Sequence, residues 1–400
     1  MKKSLLFIMP SLAAGGGEKS LINLLTQIDY SQYQVDLFLL NHEGIFMEFL
    51  PKEVRVLAIP EMHKLFALPL GNSIAQLVLG NKLSLVYNRI MFAFKNANHN
   101  GTSINEQRGW KDVAKSLERL VGQYDVAIGF LEKTATYICV DKVTAATKIG
   151  WVHIDYDKLG MDPDFDIGYF EQLDHIITVS EECASILKRR FPSQQHKVDV
   201  IHNIVSPKTI NHMADQGDIN IYKREKDEII ILSIGRLHEQ KGFEMSIEAC
   251  KKLVNKGYNI RWYIIGEGAE REKLANLIKA NQLEDHFILL GLKSNPYPYI
   301  KQADIYAQTS KFEGKSIAID EAKILNKPIV VTNFSTARDQ IVDGFNGLIV
   351  EMNSDAVVDG IERIIMDKQL ANRLTSSLSV ESLGTEEEIH KLYALMGGRL

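Results

Sequence analysis

Residues 310–331 read Ser-Lys-Phe-Glu-Gly-Lys-Ser-Ile-Ala-Ile-Asp-Glu-Ala-Lys-Ile-Leu-Asn-Lys-Pro-Ile-Val-Val, and this stretch decides the fold. Ser316 suits a helix cap, and Ile317, Ala318, Ala322, Ile324 and Leu325 recur at helical spacing. Asn326 and Pro328 end the helix, and Pro328-Ile-Val-Val reads as the next strand. Glu313 therefore lies in the loop before the helix and Glu321 about a turn and a half inside it, eight positions on. The free amides expected at Ser316 and Ile317 fall between them, where an anion would dock. The arrangement suits a ligand with hydroxyls at both ends and charge in the middle. A plainer reading is two solvated glutamates beside an ordinary loop and helix.

Outward from this stretch, strand and helix patterns alternate, which predicts parallel sheets with helices on both faces. The first series of strands reads at 5–9, 35–40, 54–59, 126–130, 148–152, 176–179 and 198–201. The second reads at 229–234, 260–265, 287–290, 305–307, 329–331 and 348–350, with helices at 243–255 and 269–280 among its connections. Between the two series, residues 203–227 are polar and carry Pro207, Gly217 and a charged run, a composition that suits a linker. Two doubly wound domains with a cleft at the carboxyl ends of their sheets follow as the expected architecture.

Composition narrows the class. Four hundred residues suffice for two cores, and 45% apolar with 24% charged residues is the balance of a soluble globular chain. A net charge of −5 argues against general nucleic-acid binding. Cys139, Cys183 and Cys250 are far apart, lack metal-ligand spacing and read as small core residues in a reducing compartment. The N-terminal apolar run is short and leads into a glycine turn, so it reads as a strand rather than a leader. No apolar stretch approaches the roughly 20 residues that span a bilayer, and a cytoplasmic protein is expected.

Several loops carry residues suited to chemistry. Gly15-Gly16-Gly17-Glu18 follows the first strand and opens a helix, a turn where backbone approaches a phosphate closely or simply a tight turn. Gly235-Arg236-Leu237-His238-Glu239-Gln240-Lys241-Gly242 follows the first strand of the second series. Arg236 and Lys241 can converge there on a diphosphate, one as a fork and one as a point charge, or remain a solvated basic loop. His153 ends the strand 148–152, either as a satisfied core residue or as a cleft-side contact. Asp155-Tyr156-Asp157, Asp162-Pro163-Asp164 and Asp164-Phe165-Asp166 have the shape of metal-binding acidic triplets, but are expected to be solvated loop carboxylates. No obligatory metal is expected.

These motifs together resemble the retaining glycosyltransferases of family four, which have the GT-B fold. The resemblance rests on the Glu-x7-Glu segment, the Gly-Arg-Leu…Lys-Gly loop, the Gly-Gly-x-Glu loop, His153, Gly266-Glu267-Gly268 and Asp343-Gly344-Phe345-Asn346-Gly347. It implies an α/β architecture of two Rossmann-like doubly wound domains with an inter-domain cleft. Residues 1–205 would bind the acceptor and 206–384 the nucleotide sugar, and 385–400 would form a helix returning to the first domain. The catalytic group implied is Glu313, His153, Arg236 and Lys241. Donor contacts implied are Gly16, Arg236, Lys241, Lys293, Glu313, Ser316, Ile317 and Glu321. Glu313 would hold hydroxyls of the transferred sugar, Glu321 the ribose, and His153 the sugar. Activity would be hexosyl transfer from a UDP-sugar to a glycan or lipid-linked acceptor in cell-envelope polysaccharide synthesis. Lys315 departs from the family's usual aromatic or apolar residue and leaves the acceptor chemistry open. A non-catalytic transferase-like subunit and a sugar-nucleotide epimerase of related fold are the alternatives.

Residues 61–122 break the alternation. Eight Lys and Arg face four Glu and Asp there, in a chain that is acidic as a whole. The segment reads as a helical insertion packed on the first domain, or as a surface in peripheral contact with anionic membrane at its inner face.

Overall fold

The computed structural model describes residues 2–13, 15–97 and 102–397. The chain divides into two compact units. One comprises Met1–Ala13, Leu24–Ile201 and Ile389–Leu400, and the other Ala14–Asn23 and His202–Glu388. Residues 14–23, expected with the first domain, thus group with the second unit.

The first unit is built on strands β1 (Lys3–Met9), β2 (Tyr33–Leu39), β3 (Arg55–Val56), β4 (Gln123–Gly129), β5 (Thr144–Val152), β6 (His175–Thr178) and β7 (Val198–Val200). All pair in parallel, in the order β3-β2-β1-β4-β5-β6-β7. Leu5 to Met9 are wholly buried, which is why β1 reads as a continuous apolar run rather than an alternating one. β3 is far shorter than the 54–59 read from sequence. It is an edge strand with one neighbour, held by Arg55 on buried Asp36 at 2.8 Å, and the chain leaves it toward Pro60. The helix Glu388–Leu395 belongs largely to this unit: Tyr393 stacks on Tyr33 at 5.0 Å, and its hydroxyl accepts from the Asp29 amide at 2.8 Å.

The insertion consists of helices Glu61–Ala67, Leu70–Leu79, Leu83–Ala97 and Thr102–Val113. His63, Phe66, Leu77 and Trp110 turn inward.

The second unit carries β8 (Ile229–Ile234), β9 (Ile260–Ile265), β10 (Phe287–Gly291), β11 (Ile305–Gln308), β12 (Ile329–Thr332) and β13 (Leu348–Val350). They are parallel in the order β10-β9-β8-β11-β12-β13. Successive residues of β8 serve opposite faces: Ile231 packs with Trp262, Ile264 and Leu253, and Ile230 and Leu232 pack with Tyr306, Ile329 and Ile319. Both faces are covered, and the strand is apolar throughout.

The stretch 203–227 is not a plain linker. It contains the helix Pro207–Ala214, with proline at the first turn and Ile210 and Ala214 buried. Proline is preorganised for a helix start, and Ile210, Met213 and Ala214 make a short apolar stripe within polar surroundings. All three cysteines are buried free thiols, and burial pushes Cys139 and Cys250 up to about 12.

Candidate active site

In the second sheet the strand order reverses between β8 and β11, so the loops leaving their carboxyl ends diverge around a crevice. Those two loops are 235–242 and 309–316, which carry Arg236, Lys241 and Glu313. They are laced together by the Lys311 amide on the Gln240 carbonyl at 2.7 Å and by Gln240 Nε2 on the Phe312 carbonyl at 2.9 Å. Gly242 sits at the crossing with φ of +62°, and a Cβ there would lie 2.3 Å from the Thr309 carbonyl oxygen. Only glycine meets both demands.

Glu313 is buried and ion-paired with Lys241 at 2.5 Å. Its Oε1 also accepts from Gln308 Nε2 at 3.1 Å and Ser310 Oγ at 2.6 Å, whereas Oε2 meets Gln240 Nε2 at 3.4 Å. One oxygen is saturated, and the other is lightly held.

Glu321, in the helix Ile317–Ile324, is 1% exposed. It is paired with the ammonium of Lys19 and accepts from the Tyr297 hydroxyl at 3.1 Å. The Lys19 ammonium stands 4.7 Å over the Tyr297 ring. Burial alone would lower Lys19, but the Glu321 carboxylate and Tyr297 reverse this and hold it above the ordinary lysine value. Glu18, one residue earlier, is 3.8 Å from the half-exposed Arg236 guanidinium. Residues 14–23 thus supply a countercharge to the glutamate and to the arginine singled out by sequence.

Two expectations for the helix start are corrected. The Ser316 amide is not free: it donates to Gln340 Oε1 at 2.8 Å, while Gln340 Nε2 donates to the Ser316 carbonyl at 2.8 Å. Ser316 occupies the cap position, but its hydroxyl donates to Gln308 Oε1 at 2.9 Å instead of capping the helix. Gln340 does the capping from outside. It also reaches Asp320 Oδ1 at 2.8 Å, while Asp320 Oδ2 is buried without a hydrogen-bond partner and burial raises that carboxyl. Lys315 acts on the same carboxyl, lowering it.

The glycine loop also differs from expectation. A Cβ on Gly16 would meet open space, whereas one on Gly15 would lie 2.2 Å from Glu18 Oε2 and 2.6 Å from Arg236 Nη2. Both Gly15 contacts are movable side-chain ends, so backbone packing requires neither glycine. Lys293 follows β10, its ammonium 5.8 Å over the Tyr299 ring.

His153, in the first unit, lies one residue past β5, 4.9 Å from the Phe130 ring and stacked on Trp151 at 5.8 Å. Burial pushes it down to about 3, partly opposed by a hydrogen bond to the Phe130 backbone, so it is neutral at pH 7. Its Nε2 is buried without a partner, a state that calls for a ligand atom or another explanation.

The acidic triplets are corrected as well. Asp166 is 1% exposed and accepts from the hydroxyls of Tyr137 and Tyr156, and burial raises its carboxyl. Asp155 is also buried, Asp157 pairs with Arg190 at 2.6 Å, and Asp162 caps the helix Pro163–Phe170. Asp157 and Asp164 are exposed, as expected. Among the described residues no group of three or more His, Cys, Asp or Glu is arranged to hold a metal.

Residues 216–377 match the family model described as glycosyl transferases group 1. This segment belongs to that family. The chain is 30% identical over 203 residues to the N-acetylgalactosamine-N,N'-diacetylbacillosaminyl-diphospho-undecaprenol 4-alpha-N-acetylgalactosaminyltransferase of Campylobacter jejuni, covering 50% of this chain and 53% of that protein. It is 27% identical over 177 residues to the poly(ribitol-phosphate) alpha-N-acetylglucosaminyltransferase of Staphylococcus aureus, covering 43% and 36%. These matches span about half or less of the relatives' length. Anabaena HepE in complex with UDP-glucose superposes with a TM-score of 0.68 at 16% identity, over 98% of this chain and 99% of that one. A Staphylococcus aureus TarM variant in complex with fondaparinux, alpha-GlcNAc-glycerol and UDP gives 0.67 at 15% identity, over 99% and 100%. The two Rossmann-like parallel sheets are thus those of the GT-B fold.

Proposed function

We propose that this protein is a retaining hexosyltransferase, moving a sugar from a UDP-sugar to a hydroxyl of a glycan or lipid-linked acceptor in cell-envelope polysaccharide synthesis, at the inner face of the cytoplasmic membrane. The observation that carries the reading is the Lys241–Glu313 pair, with Arg236 close by in sequence, on the two loops at the strand-order reversal of the second sheet. A nucleoside diphosphate leaves with developing negative charge. Arg236 and Lys241 supply two positive charges, and the Glu313 pair fixes that of Lys241 before the reaction begins. Glu313 Oε2, lightly held by Gln240, takes hydroxyls of the transferred sugar. Glu321 takes the ribose through Oε2, since the Lys19 ammonium and the Tyr297 hydroxyl both sit on Oε1. The Ile317 amide and the helix start serve the phosphates, with Gln340 holding the neighbouring turn. The bare Nε2 of neutral His153 offers a partner to a sugar hydroxyl.

In the step proposed, the acceptor oxygen bonds to the anomeric carbon on the face from which the diphosphate departs. The carbon–phosphate oxygen bond breaks, and a phosphate oxygen takes the acceptor proton. The relatives named for transfer to an undecaprenol diphosphate sugar and to poly(ribitol phosphate) support the acceptor class.

Incubating the protein with UDP-sugars, with and without lipid extract from an envelope, tests the reading. UDP release with a glycosylated lipid or glycan is the expected result. An epimerised donor with no UDP, or no turnover of any UDP-sugar, would sink it. Arg236→Ala should cut turnover by about 100-fold, the loss typical of one electrostatic donor.

A further inference from the structure

Helices Leu70–Leu79 and Leu83–Ala97 of the insertion leave a large apolar face uncovered. Leu79 is 86% exposed and Phe94 66%, with Leu83, Tyr87, Ile90 and Val78 also exposed. Leu83, Tyr87, Ile90 and Phe94 follow one another at steps of four, three and four, so they form one stripe along the second helix, and Val78 and Leu79 are exposed at the end of the first. Scattered exposed apolar residues are ordinary, whereas a continuous stripe is not.

The stripe is not a core face turned the wrong way. The same helix already has an inner face: Arg89 stands 5.6 Å over the Phe66 ring and 5.8 Å over Phe92, and its Nη2 donates to the Leu68 carbonyl at 3.1 Å. Arg89 and Phe92 line a cavity of about 270 Å³ with His63, Phe66 and Trp110. The inward positions are filled, and the stripe is a second apolar surface.

Charge identifies what covers it. Residues 62–105 contain no Asp or Glu, but do contain Lys64, Lys82, Arg89 and Lys95, in a chain of net charge −5. Glu61 pairs with Lys64 and Asp112 with Lys95. Lys82, at the turn between the helices, and Arg89 have no acidic partner among the described residues. A symmetric contact with a second copy would set this surface against itself, lysine facing lysine with no carboxylate of the segment between them. An anionic lipid surface instead meets the stripe with acyl chains and Lys82 with phosphate. No helix of the described residues is long and apolar enough to cross a membrane, so contact is in the plane of the interface.

We propose that the hairpin of helices Leu70–Leu79 and Leu83–Ala97 docks this protein on an anionic bilayer surface, with Leu79, Leu83, Tyr87, Ile90 and Phe94 at the headgroup–acyl boundary and Lys82 on the phosphates. The surface uses none of the residues assigned to sugar transfer. A protein without transferase activity would still bind vesicles, and a transferase without the hairpin contact would still turn over a water-soluble acceptor. Failure of the two proposals is therefore distinguishable.

The test is flotation of the full chain with phosphatidylcholine vesicles with and without phosphatidylglycerol. Binding only to the anionic vesicles, weakened at high salt, is expected. Leu83→Asp combined with Phe94→Asp should reduce it at least tenfold, and Lys82→Glu several-fold, both with the parent's melting temperature. Equal flotation on neutral vesicles, or parental binding by the double variant, would overturn the proposal. So would a dimer in sedimentation that the same double substitution dissociates, because the stripe would then seat a second copy.

Discussion

The loops after β8 and β11 and the helices of the insertion handle charge in opposite ways. At the loops, the two glutamates are buried and each is matched: Glu313 by Lys241 and two neutral donors, Glu321 by Lys19 and Tyr297. In the insertion, apolar side chains and Lys82 stand open to solvent. A buried charge is tolerable only when its partners are in place beforehand, and this makes the loops rigid and ready for a small polar ligand. An exposed apolar stripe costs little until it finds another apolar surface, and suits a broad, fluid partner. The difference teaches that one chain carries two kinds of recognition, one by fixed dipoles and one by area.

The contrast can be broken first at the loops. Lys241→Met should destabilise the second unit by about 3 kcal/mol or more, because Glu313 is left buried with neutral donors only. Adding Glu313→Gln should restore part of that loss, and denaturant melts of the single and double variants measure it. Purely additive losses would show that the pair is not coupled.

Acid provides the next test, within the first unit. Ser116 gives its hydroxyl proton to the Val113 carbonyl at 2.7 Å, so it accepts from His63 Nδ1 at 2.8 Å. Burial then lowers His63 to about 4. The unfolded chain binds this proton near pH 6.5, and the folded one does not until about pH 4. The stabilisation is therefore whole above pH 6.5 and shrinks as pH falls, by up to about 3 kcal/mol. His63→Gln should flatten the stability curve over that window; an unchanged slope would remove His63 as its source.

Gly242→Ala sharpens the picture of the crossing loops. With φ at +62° and the Thr309 carbonyl in the way, a loss of about 1–3 kcal/mol is expected in a thermal melt. The smallest effect is expected at the insertion: Lys64→Ala removes an exposed i,i+3 pair with Glu61 and should change stability by less than about 0.5 kcal/mol. A large loss there would mean that surface charge holds the insertion together.

Much of this was legible in the residues. The central strands were readable because fully buried parallel strands are unbroken apolar runs between turn residues, and β8, β9 and β13 have the expected bounds, whereas the edge strand β3 does not. The helix Phe243–Asn255 was readable from its period. The helix Pro207–Ala214 escaped notice because two or three apolar positions in a polar stretch do not establish a period. Glu313 and Glu321 were found because their spacing spans a loop and the first turns of a helix. Their partners Lys19 and Gln308 were missed, as was Gln340, which meets Ser316 and Asp320: a lysine or glutamine far off in the chain announces nothing about which carboxylate or amide it meets. The Asp triplets misled for the same reason, since Asp166 is held by Tyr137 from a separate helix and by Tyr156 from within another triplet.

By itself the sequence determined the elements and the residues available at their ends, since hydrophobic period, caps and breakers act within a few residues of one another. Tertiary structure alone decided that β8 lies beside β11, which brings Lys241 to Glu313, and that residues 14–23 present Lys19 to Glu321. Strand order and ion pairing join positions dozens to hundreds of residues apart, where what selects a neighbour is the shared burial of both groups and not any local pattern.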